Sequence, residues 1–237
     1  MKRTLDAGEV IRSVFRIYVD QAPVLMPVAA AVFVVTGILA GVLVATSPAL
    51  GLVGLIVSLV ATVVFTGMVV ELVSDIQDGR RDATPRQLLR AVGPVVGSLL
   101  LVGVAAGVGV VVGFLLLIVP GLILITVWSV AAPVVVLERP PGLRALRRSR
   151  ELVRGNGWQV FGVIFVLDIL VVIGASALQI AADSAGSGAG IVVRVVVGVL
   201  TAPLSALAAA VLYFALRRAE QGEPRGDAAP TYAGPPS

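Results

Sequence analysis

The sequence has 237 residues, of which 58% are hydrophobic and 14% are charged, with a net charge of +4 and a mean hydropathy of +1.03. Globular proteins carry roughly a quarter charged residues, so this composition excludes a soluble protein. The chain has no Cys and no His, which excludes disulfides, thiolate nucleophiles, Cys/His zinc sites and imidazole acid–base catalysis. We expect no cofactor.

The amino-terminal segment, residues 5–20, predicts an amphipathic helix. Its charged residues, among them Arg12 and Arg16, share one narrow face, and apolar residues fill the other. Such a helix lies in the membrane interface or packs against the ends of the spanning helices. The apolar run that follows is longer than the core of a signal peptide and comes after a long polar leader, so we interpret it as a retained helix.

Apolar runs of about 20 residues, the length that crosses a ~30 Å hydrocarbon core, recur along the chain. The short uncharged turns Ser47-Pro48 and Pro120-Gly121 and a Gly/Ser-rich loop divide them. A tail rich in Pro and Gly follows, and we expect it to be disordered. The sequence thus predicts a transmembrane domain over 1–217, a disordered cytoplasmic tail over 218–237, and spans at about 23–46, 49–73, 94–118, 122–137, 158–181 and 191–216.

A basic amphipathic segment precedes each pair of spans. The second such segment starts at Thr84-Pro85, a good helix start, and the third covers Leu143 to Arg154. This pattern gives three repeat units of low mutual identity, at 1–75, 82–138 and 141–217. The expected fold is an all-α membrane protein with six transmembrane helices in three hairpins, each preceded by a cytoplasmic amphipathic helix.

The distribution of Lys and Arg predicts the orientation. Basic residues concentrate in the amino-terminal segment, in the two later amphipathic segments and in the tail, whereas the turns at Ser47 and Pro120 carry none. Because cytoplasmic loops of membrane proteins are enriched in Lys and Arg, we expect a multi-pass protein of a bacterial cell membrane with both termini in the cytoplasm.

The basic segments have two interpretations. Their arginines can simply hold these loops inside, or they can bind anionic lipid head groups, at about 1 kcal/mol per basic residue near the surface. Nucleic-acid binding is disfavoured, because the basic faces should already lie against the membrane. The candidate head-group ligands are Arg12, Arg16, Arg86, Arg90, Arg144, Arg147, Arg148, Arg150 and Arg154.

Asp168 is the candidate intramembrane polar site. It lies about ten residues into the fifth span, where a charged side chain costs several kcal/mol unless it is paired, protonated or hydrated. One interpretation is a proton or cation site within the bundle. The other, which we favour, is a neutral aspartic acid bonded to a neighbouring hydroxyl such as Thr62, Thr66 or Ser205.

The stretch from Val119 to Phe165 carries a resemblance to a known family. Its features are Val119-Pro120-Gly121, the run from Trp128 through Pro133 to Glu138, and the spaced residues Leu146, Ser149, Leu152, Gly155, Trp158 and Phe161. It resembles poorly characterised bacterial multi-pass proteins similar to the membrane domain fused to some glycerophosphoryl diester phosphodiesterases. The resemblance implies a six-helix membrane domain. It implies no hydrolysis, since that activity belongs to a separate soluble domain that uses His.

The leading functional hypothesis is a non-enzymatic, membrane-organising or accessory protein. Its basic interfacial helices would bind anionic lipid, or a protein partner at the cytoplasmic face. The alternative is a small transporter or lipid-moving protein with its site around Asp168, because internal repeats and spans interrupted by Pro and Gly are typical of that class. An enzyme is disfavoured, since no second polar group in the spans pairs convincingly with Asp168.

Overall fold

The computed structural model describes residues 6–79, 84–183 and 189–221, which form ten α-helices and short turns with no strand among them. A single 3-10 turn, Gly93–Val95, joins the fourth helix directly to the fifth. The helices are α1 Ala7–Asp20, α2 Ala22–Thr46, α3 Pro48–Gln77, α4 Pro85–Val92, α5 Val96–Leu116, α6 Ile118–Trp128, α7 Ala131–Leu137, α8 Arg144–Val153, α9 Gly157–Asp183 and α10 Ala189–Gln221.

Six helical stretches in the described ranges are long and apolar enough to cross a membrane. The expectation of an all-helical protein with six such helices is therefore confirmed, and the fold is consistent with a multi-pass membrane protein. Neighbouring stretches pack along each other, α2 on α3, α5 on α6 and α9 on α10. The six stretches are Ala22–Thr46, Ala49–Gln77, Pro85–Leu116, Ile118–Leu137, Gly157–Ile180 and Val195–Gln221.

Side-chain caps explain where three of the helices begin. The Asp6 carboxylate accepts hydrogen bonds from the backbone N–H groups of Gly8 and Glu9 at 3.0 and 3.3 Å at the start of α1. The Ser47 hydroxyl accepts one from Leu50 at 3.2 Å at the start of α3. At the start of α4 the Thr84 N–H donates to the Gln87 side chain at 2.9 Å, one half of a capping box.

The prediction of an outer turn at Pro120-Gly121 was wrong. The chain reverses at Leu117, which has φ −167° and ψ 152°, whereas Pro120 and Gly121 lie in the first turn of α6. Proline is tolerated in a first helical turn, because the N–H groups there have no intrahelical partner. Ser47 reverses the chain between α2 and α3 with nearly the same angles, φ −165° and ψ 151°, so the two turns are alike in geometry.

The fourth predicted span, 122–137, is not one helix. It consists of α6 and α7, separated by a turn at Ser129 and Val130. Pro133 lies four residues after Ser129 and has no N–H, so it cannot donate the helical hydrogen bond that the Ser129 carbonyl would otherwise accept. A continuous helix across this point would lose one backbone hydrogen bond, as α2 and α10 do at Pro27 and Pro203; here the helix is interrupted.

The predicted disordered tail also began too early. Helix α10 continues to Gln221, so residues 218–221 are helical, and the rest of the predicted tail lies outside the described residues. Most of the predicted Gly/Ser-rich loop, residues 184–188, and the arginines of the 80–83 loop lie outside them too.

The buried core lies at one end of the bundle, between the carboxyl-terminal half of α3, helix α7 and the second half of α10. Phe65, Val134, Leu207 and Tyr213 are each at most 1% exposed there. Near the Leu117 turn, by contrast, Leu115 and Leu116 are 81% and 72% exposed. Apolar side chains that face outward all round a helix are expected in contact with acyl chains.

Candidate functional site

Helix α8 contains four of the predicted head-group residues and Arg154 directly follows it, and the two faces of this segment differ sharply. Ala145, Ser149, Leu152 and Val153 are buried against the bundle. Four of the five arginines are exposed on the opposite side: Arg144, Arg147, Arg150 and Arg154. Since helix neighbours on one face recur every three to four residues, the local sequence itself separates the basic face from the packed face.

Three of these arginines, Arg147, Arg150 and Arg154, line a single open pocket of about 580 Å³. One acidic side chain, Glu151, lines it as well, and the Glu151 carboxylate accepts a hydrogen bond from the Arg147 guanidinium at 3.1 Å. The side chains of this pair are 49% and 84% exposed, so the pair contributes little to stability. Val127, Val153, Gly155 and Gly157 complete the lining.

The basic pocket adjoins the start of helix α9, because Gly155 and Gly157 are part of its lining. Gly155 has φ +100°, a backbone conformation that favours glycine, and it turns the chain from α8 toward the start of α9 at Gly157. Each guanidinium presents five N–H donors in a planar fork that matches phosphate and carboxylate oxygens. The pocket therefore contains many hydrogen-bond donors, carries a net positive charge and is open to its surroundings.

Arg148, which is also predicted as a head-group ligand, does not line that pocket. Its guanidinium donates to both oxygens of Glu220 in α10, at 2.9 and 2.8 Å, and to Glu138 at the end of α7, at 3.0 Å. The hydrogen bonds to Glu220 raise the pKa of Arg148 above its ordinary value, against the opposing effect of burial. Three of its five N–H donors are thus engaged by two carboxylates.

Glu138 is the centre of this ion-pair network. One oxygen of its carboxylate accepts from Arg148, and the other accepts from the Tyr213 hydroxyl at 3.0 Å. The Arg217 guanidinium in turn donates to the Tyr213 hydroxyl at 3.4 Å. The network joins α7, α8 and α10 at the end of the bundle where the core lies.

Ser149 makes a second connection between α8 and the bundle. Its hydroxyl is fully buried and donates to the Val127 carbonyl in the last turn of α6 at 2.7 Å. The last carbonyls of a helix have no intrahelical partner, so the α8 side chain satisfies a group at the α6–α7 break. Since Val127 also lines the basic pocket, this bond fixes the pocket wall relative to α8.

The remaining predicted arginines lie apart from the basic pocket. Arg12 and Arg16 are exposed on α1, and Arg86 and Arg90 are exposed on α4. The apolar faces of these helices pack on protein, with Val10 and Val14 of α1 and Leu88 and Val92 of α4 buried.

Helix α1 packs mainly on α10 and α9, and α4 packs on α3. The Tyr18 hydroxyl of α1 donates to the Leu200 carbonyl of α10 at 3.0 Å, and burial raises the pKa of this phenol. The packing that the sequence left open as an alternative for α1 is therefore present, while Phe15 and Val19 of that helix are exposed.

Asp168 lines a second, smaller pocket of about 180 Å³ between α6, α9 and α10. Two of its expected partners, Thr62 and Thr66, do not line this pocket, and their hydroxyls donate to backbone carbonyls of their own helix at 2.8 and 2.9 Å. The third, Ser205, shares the pocket with Asp168 and with Ser129 at the α6–α7 break.

Sequence reasoning missed the residues that fix α8: Glu138, Ser149, Tyr213 and Glu220. One local signal was available, since Glu138 is an acid at the end of an apolar run with basic residues after it. Nothing local distinguishes Glu220 from an ordinary solvated residue near a helix end, and its partner Arg148 is 72 residues away.

The comparisons with known proteins identify a family and nothing more specific. No curated protein and no solved structure gives a significant match to the chain. A model for a domain of unknown function, DUF8558, matches residues 88–216, a region that includes the basic pocket, Glu138, Tyr213 and Asp168. Because that match spans more than half of the 237 residues, the chain belongs to the DUF8558 family.

Proposed function

We propose that this chain is a non-enzymatic integral membrane protein that binds the phosphate-bearing head group of an anionic lipid in the basic pocket of α8. The observation that carries the proposal is the convergence of Arg147, Arg150 and Arg154 on one pocket of about 580 Å³. That volume lies within the range of small-molecule sites, ≈ 300–1,000 Å³. Binding there would serve an accessory or membrane-organising role.

The proposed topology places the pocket at the inner leaflet of the cell membrane. In it, α2–α3, α5 with α6 and α7, and α9–α10 are three hairpins, with α1, α4 and α8 on the cytoplasmic side and both termini inside. The excess of Lys and Arg in the three segments before the hairpins supports this orientation. The inner leaflet is rich in anionic lipid, which attracts basic residues near the surface.

Charge and chemistry favour an anionic lipid over the other occupants. Three guanidinium groups against one carboxylate leave the pocket with net positive charge, and bidentate hydrogen bonds from Arg suit phosphate oxygens. An acidic protein segment at the same face would be drawn by the same charge. The pocket begins where α9 enters its apolar stretch, however, so a ligand with both a phosphate and acyl chains matches both surroundings.

The test uses purified protein in a neutral detergent and the fluorescence of Trp158, which is 81% exposed and follows Gly157 of the pocket lining. Short-chain phosphatidylglycerol is titrated against short-chain phosphatidylcholine. We expect a saturable change with the anionic lipid only, weakened by salt. Equal responses to the two lipids would overturn the proposal.

A matched pair of triple variants distinguishes lipid binding in the basic pocket from nonspecific attraction of the lipid to the whole basic face. Arg147→Gln, Arg150→Gln and Arg154→Gln together should abolish the preference for the anionic lipid. Arg12→Gln, Arg86→Gln and Arg90→Gln remove the same charge from α1 and α4 and should keep it. If both triple variants lose binding to the same degree, the attraction is a property of the whole basic face and the pocket is not a site.

The second candidate function is a small transporter or lipid-moving protein with its site around Asp168. The observation that favours it is the pocket beside the α6–α7 break, since broken helices often form transporter sites near the bilayer midplane. Reconstituted vesicles would test it by comparing ion and lipid movement in wild type and Asp168→Asn. Movement that is unchanged in the variant would exclude Asp168 as the site.

The likeness to the membrane domain fused to glycerophosphoryl diester phosphodiesterases also remains a proposal. It rests on the features between Val119 and Phe165 and extends only to a six-helix membrane domain. It would be supported if a solved structure of such a domain had a broken helix at the position of Ser129 and single-residue turns at the positions of Ser47 and Leu117.

A further inference from the structure

The Asp168 pocket has a mostly apolar lining. Eight of its eleven lining residues are apolar, and the polar groups are Ser129, Asp168 and Ser205, from three different helical segments. All three present oxygen atoms, and no Lys or Arg lines the pocket. In the described part of the chain no hydrogen bond or ion pair joins the Asp168 carboxylate to another residue. A carboxylate at this depth of a membrane is costly unless it is paired, protonated or hydrated, and a bound cation would pair it.

The α6–α7 break supplies further oxygen at the same place. The Ser129 hydroxyl donates its proton to the Thr126 carbonyl at 2.9 Å, so the lone pairs of its oxygen remain available. The Ser129 carbonyl lacks its helical donor, because residue 133 is proline. The break thus offers two oxygens at Ser129, and the Asp168 carboxylate and the Ser205 hydroxyl add to them.

We infer that this pocket binds one monovalent cation of the size of Na⁺. A proton would neutralise Asp168 alone, whereas a cation would draw on the oxygens of all three segments that line the pocket. The single carboxylate balances one positive charge, which favours a monovalent over a divalent ion. Unwound backbone carbonyls in membrane helices are known to coordinate Na⁺, and a pocket of about 180 Å³ leaves room for a coordinating water.

The cation site is independent of the proposed lipid site. It uses no arginine, and the two pockets have no lining residue in common, although Val127 of one and Ser129 of the other belong to the same break. Either proposal can therefore fail without the other. Loss of the lipid preference leaves the cation measurement unaffected, since that measurement is made without lipid.

The test is the thermal unfolding of the purified protein in neutral detergent, with NaCl compared with choline chloride at equal concentration. A ligand that binds only the folded state stabilises it by RT ln(1 + [L]/Kd). Above the Kd, each tenfold increase in Na⁺ should therefore raise the Tm by about 3 °C. If NaCl and choline chloride give the same Tm at every concentration, there is no Na⁺ site.

Two variants assign the effect to the pocket. Asp168→Asn should unfold at one Tm in both salts, whereas Asp20→Asn, which removes an exposed carboxylate from the end of α1, should respond to Na⁺ as wild type does. A Na⁺ response that persists in Asp168→Asn would overturn the assignment. If Asp168→Asn does not fold, the binding of ²²Na⁺ to wild type and to Ser205→Ala tests the assignment instead. We expect the binding to be lost or weakened at least tenfold in Ser205→Ala, and equal binding to both proteins would overturn the assignment.

Discussion

The guanidinium of Arg148 donates two parallel hydrogen bonds to the carboxylate of Glu220, at 2.9 and 2.8 Å, and so joins α8 to the end of α10. A bidentate pair of this kind fixes direction as well as distance. Arg148 and Ser149 are consecutive residues of α8, and both bond to the bundle while their basic neighbours point outward. The orientation of the basic pocket is therefore set by two residues that do not line it.

Replacing Glu220 should loosen α8. In Glu220→Gln the carboxylate partner of Arg148 in α10 is lost, while Glu138 remains. Because the two side chains are 28% and 46% exposed, the expected loss is moderate, about 1 kcal/mol or a Tm lower by about 2–4 °C. The control is Glu151→Gln, which removes an exposed pair within α8 and should change the Tm by less than about 1 °C. Equal effects of the two variants would contradict the role given to Glu220.

The Ser149 bond offers a sharper prediction. Ser149→Ala leaves the Val127 carbonyl without the hydroxyl that donates to it at 2.7 Å, and a buried unsatisfied group costs about 1–3 kcal/mol. The Tm should fall by about 2 °C or more, and the affinity for anionic lipid should fall with it, because Val127 is part of the pocket wall. Ser176→Ala, on an exposed part of α9, is the matched control and should change neither. A variant with an unchanged Tm would show that the carbonyl finds another donor.

The sequence was sufficient for the six apolar stretches, because a hydrocarbon core fixes both the length and the composition of a spanning helix. It was also sufficient for the faces of α8, since the helical period alone separates Arg147 and Arg150 from Leu152. The turn at Leu117 was not predictable in the same way. Pro120-Gly121 has the composition of a turn, but proline is equally compatible with the first turn of a helix, and only packing decides between them.

The polar contacts of the site illustrate the other limit. The partners of Arg148 are 10 and 72 residues away in the chain, and no local pattern distinguishes an arginine bonded to the bundle from the exposed arginines beside it. The sequence does contain a signal for the break at Ser129, because Pro133 cannot donate a backbone hydrogen bond. Proline alone does not decide, however, because α2 and α10 continue through Pro27 and Pro203.

Gly67 permits the close approach of α3 and α4. A Cβ built at this position would lie 2.7 Å from a methyl carbon of Val92 and 3.1 Å from one of Leu99. Val92 is fully buried and Leu99 is 3% exposed, so neither can move aside. Gly67→Ala should therefore destabilise by about 1–3 kcal/mol through overpacking.

The control for Gly67 is Gly107→Ala in α5, where nothing lies within 4 Å of the added carbon. Alanine is the better helix former, so this variant should unfold at the same temperature as wild type or slightly above it. Thermal unfolding followed by circular dichroism measures both. A Gly67→Ala variant as stable as Gly107→Ala would mean that α4 does not pack on α3 as described.

The bond between Tyr18 and Leu200 predicts a dependence of stability on pH. Burial raises the pKa of the Tyr18 phenol above its ordinary value of 10.0, so the folded state holds this proton more tightly than the unfolded chain does. The resulting stability is complete below about pH 10 and is lost as the pH rises through the raised pKa of the folded state. Tyr18→Phe removes both the hydrogen bond, worth about 1 kcal/mol, and the titration. At pH 7 the Tm of the variant should therefore be lower than that of wild type by about 2–4 °C, and the difference should shrink above pH 10. A difference that stays constant to pH 11 would show that the hydroxyl is solvated in the folded protein and that α1 is not held to α10 by this bond.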